Sequence, residues 1–376
     1  MNTRDVIGMV DFHTTPSLSP LTDHRPLGST SFLGRYALCD FALSNLCNSG
    51  ISQFGLLVKD HVRSVQKHLG GMTAWVHNTK TGNMRVLFNE HALSTPERNT
   101  DLNNIKANDW WLYEGNADYI LIVPAHIICS IDYRPILEKH IADKERITVI
   151  ATKVEDATKE YGGQDILSLD RLGYVEDVRP NDGTISGPAL CSMDMVIINR
   201  SALAELVHQY LPKNPNLDLR GLLYRVAISG GTNRVKCHVY EGYSRCFNSF
   251  QNYMKYSFEF SERSVFDSLF RPDWPIYTKT HDTPPAIYGE TASVSNSVIS
   301  NGATVEGTVI NSIICRKVKV AKGAVVRNSI IFSNSKIAEG AVVENAVVDK
   351  QTIITRNHQV KGKEDDPVFV EQGSII

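Results

Sequence analysis

The chain has 376 residues, 42% hydrophobic and 21% charged, with a formal net charge of −2. That length accommodates two domains with separate cores. The near-neutral balance gives no electrostatic case for nucleic acid or an anionic membrane, and no apolar run reaches the roughly 20 residues a spanning helix needs. Met1 to Gly8 carries charge but no apolar signal core, so the expected location is the cytoplasm. The seven cysteines, Cys39, Cys47, Cys129, Cys191, Cys237, Cys246 and Cys315, are scattered and show no C-x-x-C pair. They read as buried free thiols rather than disulfides or zinc ligands, and the spacing of His13, Cys39 and Cys47 does not make a metal site.

From the start of the chain, short apolar runs alternate with helical patterns. Strands are predicted at Val6–Val10, Phe54–Val58, Tyr119–Val123 and Ile147–Ala151, each rich in Ile, Val and Leu on both faces, as suits strands covered on both sides. Helices are predicted at His61–Leu69 and Tyr133–Lys144. Residues 1–255 therefore read as an α/β domain with a mostly parallel sheet, its ligands expected at the carboxyl ends of the strands. Trp110, Trp111 and Tyr113 suit core or interface packing better than adenine stacking.

Residues 256–285 read as a linker, on the strength of Pro272, Pro275, Pro284 and Pro285 in its second half. Residues 286–376 change character. Ile299–Val305, Val320–Val326 and Ile337–Val343 align around a Gly-Ala pair, and each is followed by an aliphatic pair, Val309-Ile310, Ile330-Ile331 or Val347-Val348. The copies are spaced by 21 and then 17 residues, close to three hexapeptides per turn with an insertion in the first interval. Such a unit leaves its edges open and must stack on the next, which predicts a solenoid resembling the left-handed parallel β-helix of hexapeptide-repeat proteins. The mixed-charge stretch Lys361–Pro367 ends at a short apolar segment, Val368–Val370.

The stretch Asp40-Phe-Ala-Leu-Ser-Asn45, followed by Asn48-Ser49-Gly50-Ile51, resembles the D-F-x-L-S-N-x-x-N-S-G-I segment of ADP-glucose pyrophosphorylases (glucose-1-phosphate adenylyltransferases). His126-Ile127 with Ile131-Asp132-Tyr133 is similar to the same family's G-D-H-I-Y-K-M-D-Y. With the order of an α/β domain and then a β-helix, the resemblance spans nearly the whole chain. It implies a nucleotidyltransferase that joins a sugar phosphate to the α-phosphorus of ATP. That chemistry rests on neutralising and positioning two phosphates through a glycine-rich loop, an arginine, a lysine and Mg²⁺ held by carboxylates.

Against that pattern the reactive positions are missing. The family's G-G-x-G-x-R-L stands here as Phe12-His-Thr-Thr-Pro-Ser17-Leu18, with no glycine to let the backbone approach a triphosphate and Ser17 in place of the arginine. R-A-K-P becomes Arg25-Pro-Leu27-Gly28, with Leu27 for the lysine. Ala125 and Cys246 stand for the two magnesium carboxylates, and a thiol is a poor ligand for so hard an ion. Arg179, before Pro180, keeps the charge of the lysine in the sugar-phosphate E-K-P motif. No metal cofactor is expected, since both carboxylates are lost.

Arg35 matches a family lysine that takes part in binding phosphorylated activators, and Lys59 and Arg63 follow the strand Phe54–Val58 near the same region. These three form the candidate effector site, against the plainer reading of a solvated basic face. The resemblance is to the non-catalytic, regulatory-type branch of the family. It implies a silent subunit of glycogen synthesis that pairs with a catalytic homologue, in a mixed tetramer. An active nucleotidyltransferase with a rebuilt site and a stand-alone sugar-phosphate sensor remain as alternatives.

Overall fold

The computed structural model describes residues 5–76, 80, 82–90, 98–114, 117–229 and 233–376, so Met1–Arg4 of the opening segment lie outside it. The four predicted strands form as Val6–Asp11, Gln53–Val58, Tyr119–Pro124 and Ile147–Val154. Together with Asn83–Phe88 they belong to a nine-stranded sheet, in which Val6–Asp11 lies parallel between Gln53–Val58 and Tyr119–Pro124. The long strand Ala189–Asn199 enters antiparallel beside Tyr119–Pro124 and also carries Ile147–Val154 and the hairpin Asp165–Leu169/Val175–Pro180. Val235–Tyr240 closes that side, parallel to Ile147–Val154.

Helices α1 (Cys39–Asn48), α2 (Val62–Leu69), α3 (Asp101–Ala107), α4 (Asp109–Glu114), α5 (Arg134–Ala142), α6 (Arg200–Tyr210) and α7 (Leu219–Ser229) accompany the sheet. Two buried clusters result: one gathers α1 and α5 with Val10, Leu56 and Val123, the other α3, α6 and α7 with Ile7, Leu57 and Ile122. The alternation of those side chains along each strand explains the all-apolar strand sequences, because both faces are covered. Trp111 is buried against Gly55, whereas Trp110 and Tyr113 are exposed, with the Arg85 guanidinium 5.3 Å from the Trp110 ring.

The expected linker 256–285 is not irregular throughout. Helices α8 (Phe250–Glu259) and α9 (Arg263–Leu269) bury Tyr253, Tyr256, Phe260 and Leu269 in one cluster with Leu27, Phe32 and Phe41 of the first domain and Val305, Val326 and Ile331 of the second. The stretch after α9 lacks helix or strand, and it too is anchored. Trp274 is buried and donates from Nε1 to Asn45 Oδ1 at 2.8 Å, and the Tyr277 amide donates to Ser44 Oγ at 2.9 Å. The prolines mark the absence of regular structure; they do not mark freedom of movement.

From Ile287 onward the chain winds into a left-handed β-helix with three parallel sheets of five short strands. Inward residues stack in columns, Val305, Val320, Ile337 and Ile354 in one, Val309, Val326, Val343 and Val360 in another. This register corrects the first repeat alignment. Val305 stacks on Val320, 15 residues away, and the true counterpart of Val326 is Val309. The Gly-Ala pairs at 302 and 323 occupy different corners, so the apparent 21-residue interval is a shift between corners and no insertion. The insertion lies in the last coil, where Ala346 pairs with Val368 across 22 positions and leaves 363–367 as the bulging corner.

One corner of the β-helix carries a ladder of asparagines in left-handed backbone conformation, Asn296, Asn311, Asn328 and Asn345, with φ between 44° and 48°. Each side-chain amide donates to the next carbonyl oxygen at 2.9–3.2 Å, and the last, from Asn345, donates to the backbone oxygen of Gly362 at 3.1 Å. Among the described residues, no helix is long and apolar enough to cross a membrane.

Candidate functional site

The strand Val6–Asp11 continues to Phe12, whose amide donates to Leu57 O at 3.0 Å and whose ring is 1% exposed. A phosphate loop needs open backbone here, but an aromatic residue at this point turns into the core. Pro124 ends its strand beside Asp11, and the Ala125 amide donates to Asp11 O at 2.9 Å. The next residues, Ile127–Cys129, pair antiparallel with Ser244–Cys246, which brings Cys246 opposite Ile127 and near Ala125.

Phe12, Ala125 and Cys246 thus meet in one buried cluster. Gly28 closes the gap: a Cβ there would lie 2.6 Å from both Ala125 Cβ and Phe12 Cε1, so only glycine lets this segment pack so tightly. Leu27 beside it is 1% exposed and belongs to the core shared with the β-helix. Of the motif positions, Leu27 and Ala125 bring hydrocarbon and Cys246 a buried thiol.

Two of the sequence-derived positions lie elsewhere. Ser17 is exposed, with its hydroxyl 3.4 Å from Thr22 Oγ1. Arg179 is exposed on the edge hairpin and pairs with Asp177 at 2.8 Å.

Behind the filled site, Gln164 donates from Nε2 to His126 Nε2 at 3.1 Å and reaches Cys246 Sγ at 3.7 Å. Burial pushes the His126 imidazole down to about 3 and raises the Cys246 thiol, so neither is charged near neutral pH. Among the described residues, Phe12, Leu27 and Ala125 offer a magnesium ion no side-chain oxygen donor, and Cys246 and His126 offer only a thiol and an imidazole. The nearest carboxylates are Asp11 and Asp194, both raised to about 6, chiefly by burial. Among the described residues, Cys39, Asp40 and His68 form the one His/Cys/Asp/Glu trio within mutual metal-binding reach, on α1 and α2 rather than at this site. The residues do not fit the ion.

Sequence reasoning missed what surrounds this plug. Asp11, Asp165, Asp194 and Arg220 line a narrow cavity of about 50 Å³ between the sheet and α7. Arg220 donates to Asp165 Oδ2 and to Gly163 O, both at 2.8 Å, and Asp194 sits at φ 51° on a bulge with its Oδ2 buried and without a partner. Asp101, raised well above the usual carboxylate range by burial and by Asp11, accepts the Leu219 amide at 2.8 Å and pins the start of α7. An acid ending an apolar strand (VIGMVD) and another inside one (SMDMVII) were the available signals. The local charge is negative, which repels a triphosphate.

The candidate effector residues are split. Arg63 lines a cleft of about 670 Å³ between α2 and the β-helix, with His24, Arg25, His61, Lys67 and Lys350. None of the described residues lining it is acidic. Arg25 is 2% exposed; its Nη2 donates to Asp349 Oδ2 at 2.6 Å and to Gln372 Oε1 at 3.2 Å, while its Nη1 is buried without a partner. Arg35 lies outside that cleft, above the Tyr36 ring at 5.2 Å and close enough to Arg316 to help lower the latter's pKa below its ordinary value, an effect due first to burial. Lys59 lies on the side of His13, whose imidazole burial pushes down to about 4.

Comparison with known proteins bears on the two domains. Residues 16–166 match the nucleotidyl transferase family and residues 285–369 the GlmU-like, C-terminal hexapeptide family. The chain is similar to the glycogen biosynthesis protein GlgD of Bacillus subtilis (strain 168), 28% identical over 376 residues, covering 100% of this chain and 98% of that one. It is 30% identical over 328 residues to the glycogen biosynthesis protein GlgD of Geobacillus stearothermophilus, covering 85% and 82%. The glucose-1-phosphate adenylyltransferase of Thermotoga maritima is 26% identical over 316 residues, covering 82% and 73%. Sheet, β-helix and relatives agree: the chain belongs to the glucose-1-phosphate adenylyltransferase (ADP-glucose pyrophosphorylase) family, in its glycogen biosynthesis protein GlgD branch.

Proposed function

We propose that this chain acts in glycogen biosynthesis as a catalytically silent, regulatory subunit that assembles with a catalytic homologue and alters its kinetics. One observation carries the reading: Phe12 and Ala125 pack tightly on Gly28, with Cys246 in the same buried cluster and Leu27 in the adjoining core. Adenylyl transfer loses roughly 10²–10³ in rate for one missing electrostatic contact, and here several are absent together. The rest of the family scaffold is intact, which is what a subunit retained for its surfaces requires.

The regulatory input on this reading is a phosphorylated small molecule held in the cleft of Arg25, Arg63, Lys67 and Lys350. Convergent guanidinium and ammonium groups with one buried, unpartnered Nη1 suit phosphate oxygens. An effector can shift the partner's active state only through contacts that differ between its states, typically worth about 1–3 kcal/mol. Co-expression with a catalytic homologue tests the proposal. A complex of defined mass, with saturation or effector curves displaced from those of the homologue alone, is the expected result. Separate elution, or unchanged curves, refutes it.

A second reading, an active transferase with a rebuilt site, draws on Asp11, Asp194 and Arg220 under α7. Magnesium-dependent release of pyrophosphate from ATP and glucose 1-phosphate by the pure chain distinguishes it. A stand-alone sugar-phosphate sensor would bind effector without ever forming the complex.

A further inference from the structure

We propose that Lys350 is a site of covalent acylation by acyl phosphates, which dock their phosphate group in the cationic cleft and transfer the acyl group to the lysine amine. The proposal rests on the reading of that cleft as an anion site and adds a modification to it.

Lys350 follows the β-helix strand Ala346–Val348, and its amide donates to Asp349 Oδ1 at 2.6 Å. It lines the cleft. The charged and titratable groups nearest it are Arg25, Asp349, Cys315 and Lys67, with His24, His61 and Arg63 lining the same cleft. The one carboxylate among them, Asp349, is taken by Arg25 at 2.6 Å, both side chains being 2% exposed. The amine therefore shares its surroundings with cations and, among the described residues, has no counter-ion of its own.

Burial first and Arg25 second bring its pKa down to about 8. At pH 8 about half of such an amine is neutral, against less than roughly 1% for an ordinary lysine. A lysine freed of its proton by desolvation and neighbouring cations is an activated nucleophile.

An acyl phosphate suits this arrangement better than other acyl donors because its leaving group is the anion the cleft would hold. The neutral amine attacks the acyl carbonyl carbon, forming an N–C bond. The C–O bond to phosphorus breaks, inorganic phosphate departs beside Arg25, Arg63 and Lys67, and the nitrogen's surplus proton passes to solvent. No electrons change hands. The product amide is neutral, so acylation removes one positive charge from the cleft and weakens its hold on phosphorylated effectors.

The test uses the full chain with isotopically labelled acetyl phosphate at pH 8 and peptide mass spectrometry over time. The exposed Lys139 and Lys159 are the internal references, with side chains 64% and 74% exposed. The expected result is acetylation of Lys350 at least tenfold faster than of either reference, slowed at least fivefold by excess inorganic phosphate. Equal rates, or no protection by phosphate, overturn the proposal. Phosphate calorimetry on the same protein separates the two readings: binding together with a slow Lys350 refutes acylation and leaves the effector cleft standing, whereas absent binding refutes both. Lys350→Arg keeps the charge, so it is expected to bind phosphate within threefold of the parent; a larger loss would show that Lys350 shapes the cleft beyond its charge and overturn the account.

Discussion

Arg25 and Asp349, 324 residues apart in the chain, form a 2.6 Å ion pair with both side chains 2% exposed, joining the loop after the first strand to the β-helix. Removing one partner leaves a buried charge without its counter-charge, and such losses cost about 3–5 kcal/mol. Arg25→Ala and Asp349→Ala are expected to lower stability by amounts in that range. The double variant Arg25→Met/Asp349→Leu is expected to recover much of it, because a hydrophobic pair leaves nothing stranded. Chemical denaturation of the four proteins checks this; additive losses in the double variant would contradict it.

Restoring carboxylates alone is expected not to restore catalysis. In Ala125→Asp/Cys246→Asp the new groups enter a space closed by Phe12 and Gly28, where an unpaired charge is costly. The expected outcome is a less stable protein, with turnover below a thousandth of an active homologue's. A coupled pyrophosphate assay on contamination-free protein, beside a melting curve, measures both.

The buried Asp194 gives a pH-dependent signature. Its folded-state pKa of about 6 lies above the ordinary 3.8, so the folded chain holds this proton where the unfolded chain has lost it. Its contribution to stability is therefore greatest below about pH 4 and is lost as pH rises through about 6. His13 and His126, held down at about 4 and 3, act oppositely, since the unfolded chain binds their protons first as pH falls. Whole-protein curves mix these slopes, so the Asp194→Asn variant is the informative comparison. Relative to the parent, it is expected to gain on the order of 1–2 kcal/mol between pH 4 and 7. A parent-minus-variant difference that stays flat would show that Asp194 titrates normally.

The cationic cleft predicts effector behaviour that the second basic group does not share. Arg63→Ala and Lys67→Ala are each expected to weaken inorganic phosphate binding about tenfold, in line with roughly 1.5 kcal/mol for a hydrogen bond to a charged group. Arg35→Ala is expected to change it less than twofold, because Arg35 lies by Tyr36 and Arg316. Calorimetry at constant ionic strength compares the three, and a loss in Arg35→Ala equal to the others would merge the two groups into one site.

Much of the fold was legible in the sequence because its signals are local. Val6–Val10 or Ile147–Ala151 cannot form a half-exposed strand, and stacked aliphatic columns demand a solenoid. What misled was equally physical. Three Gly-Ala pairs look alike in sequence although Gly302 and Gly323 occupy different corners, and only the pairing of Val305 with Val320 fixes the count. Prolines after Arg271 drew attention from α8 and α9, whose aromatic residues close the core between the two domains. The departures from the family motifs could be named one by one, but the packing of Phe12 and Ala125 on Gly28 could not, because those segments meet only in the fold. Likewise Lys350 and Arg25 share a cleft that no spacing along the chain announces.

The asparagine ladder works as a gauge of coil length. Each rung closes only if the following coil returns the chain to the same corner after 15 or 17 residues, as the four rungs do. A coil with one residue too many would turn its asparagine out of line and leave two amides unmatched, so errors of length are expensive wherever a rung follows. The five surplus residues of the last coil, 22 against 17, fall after the final rung has closed on Gly362. The surplus thus sits at a corner past the last asparagine rung, and the chain beyond it rejoins the coil where Val368–Val370 pairs with Ala346–Val348.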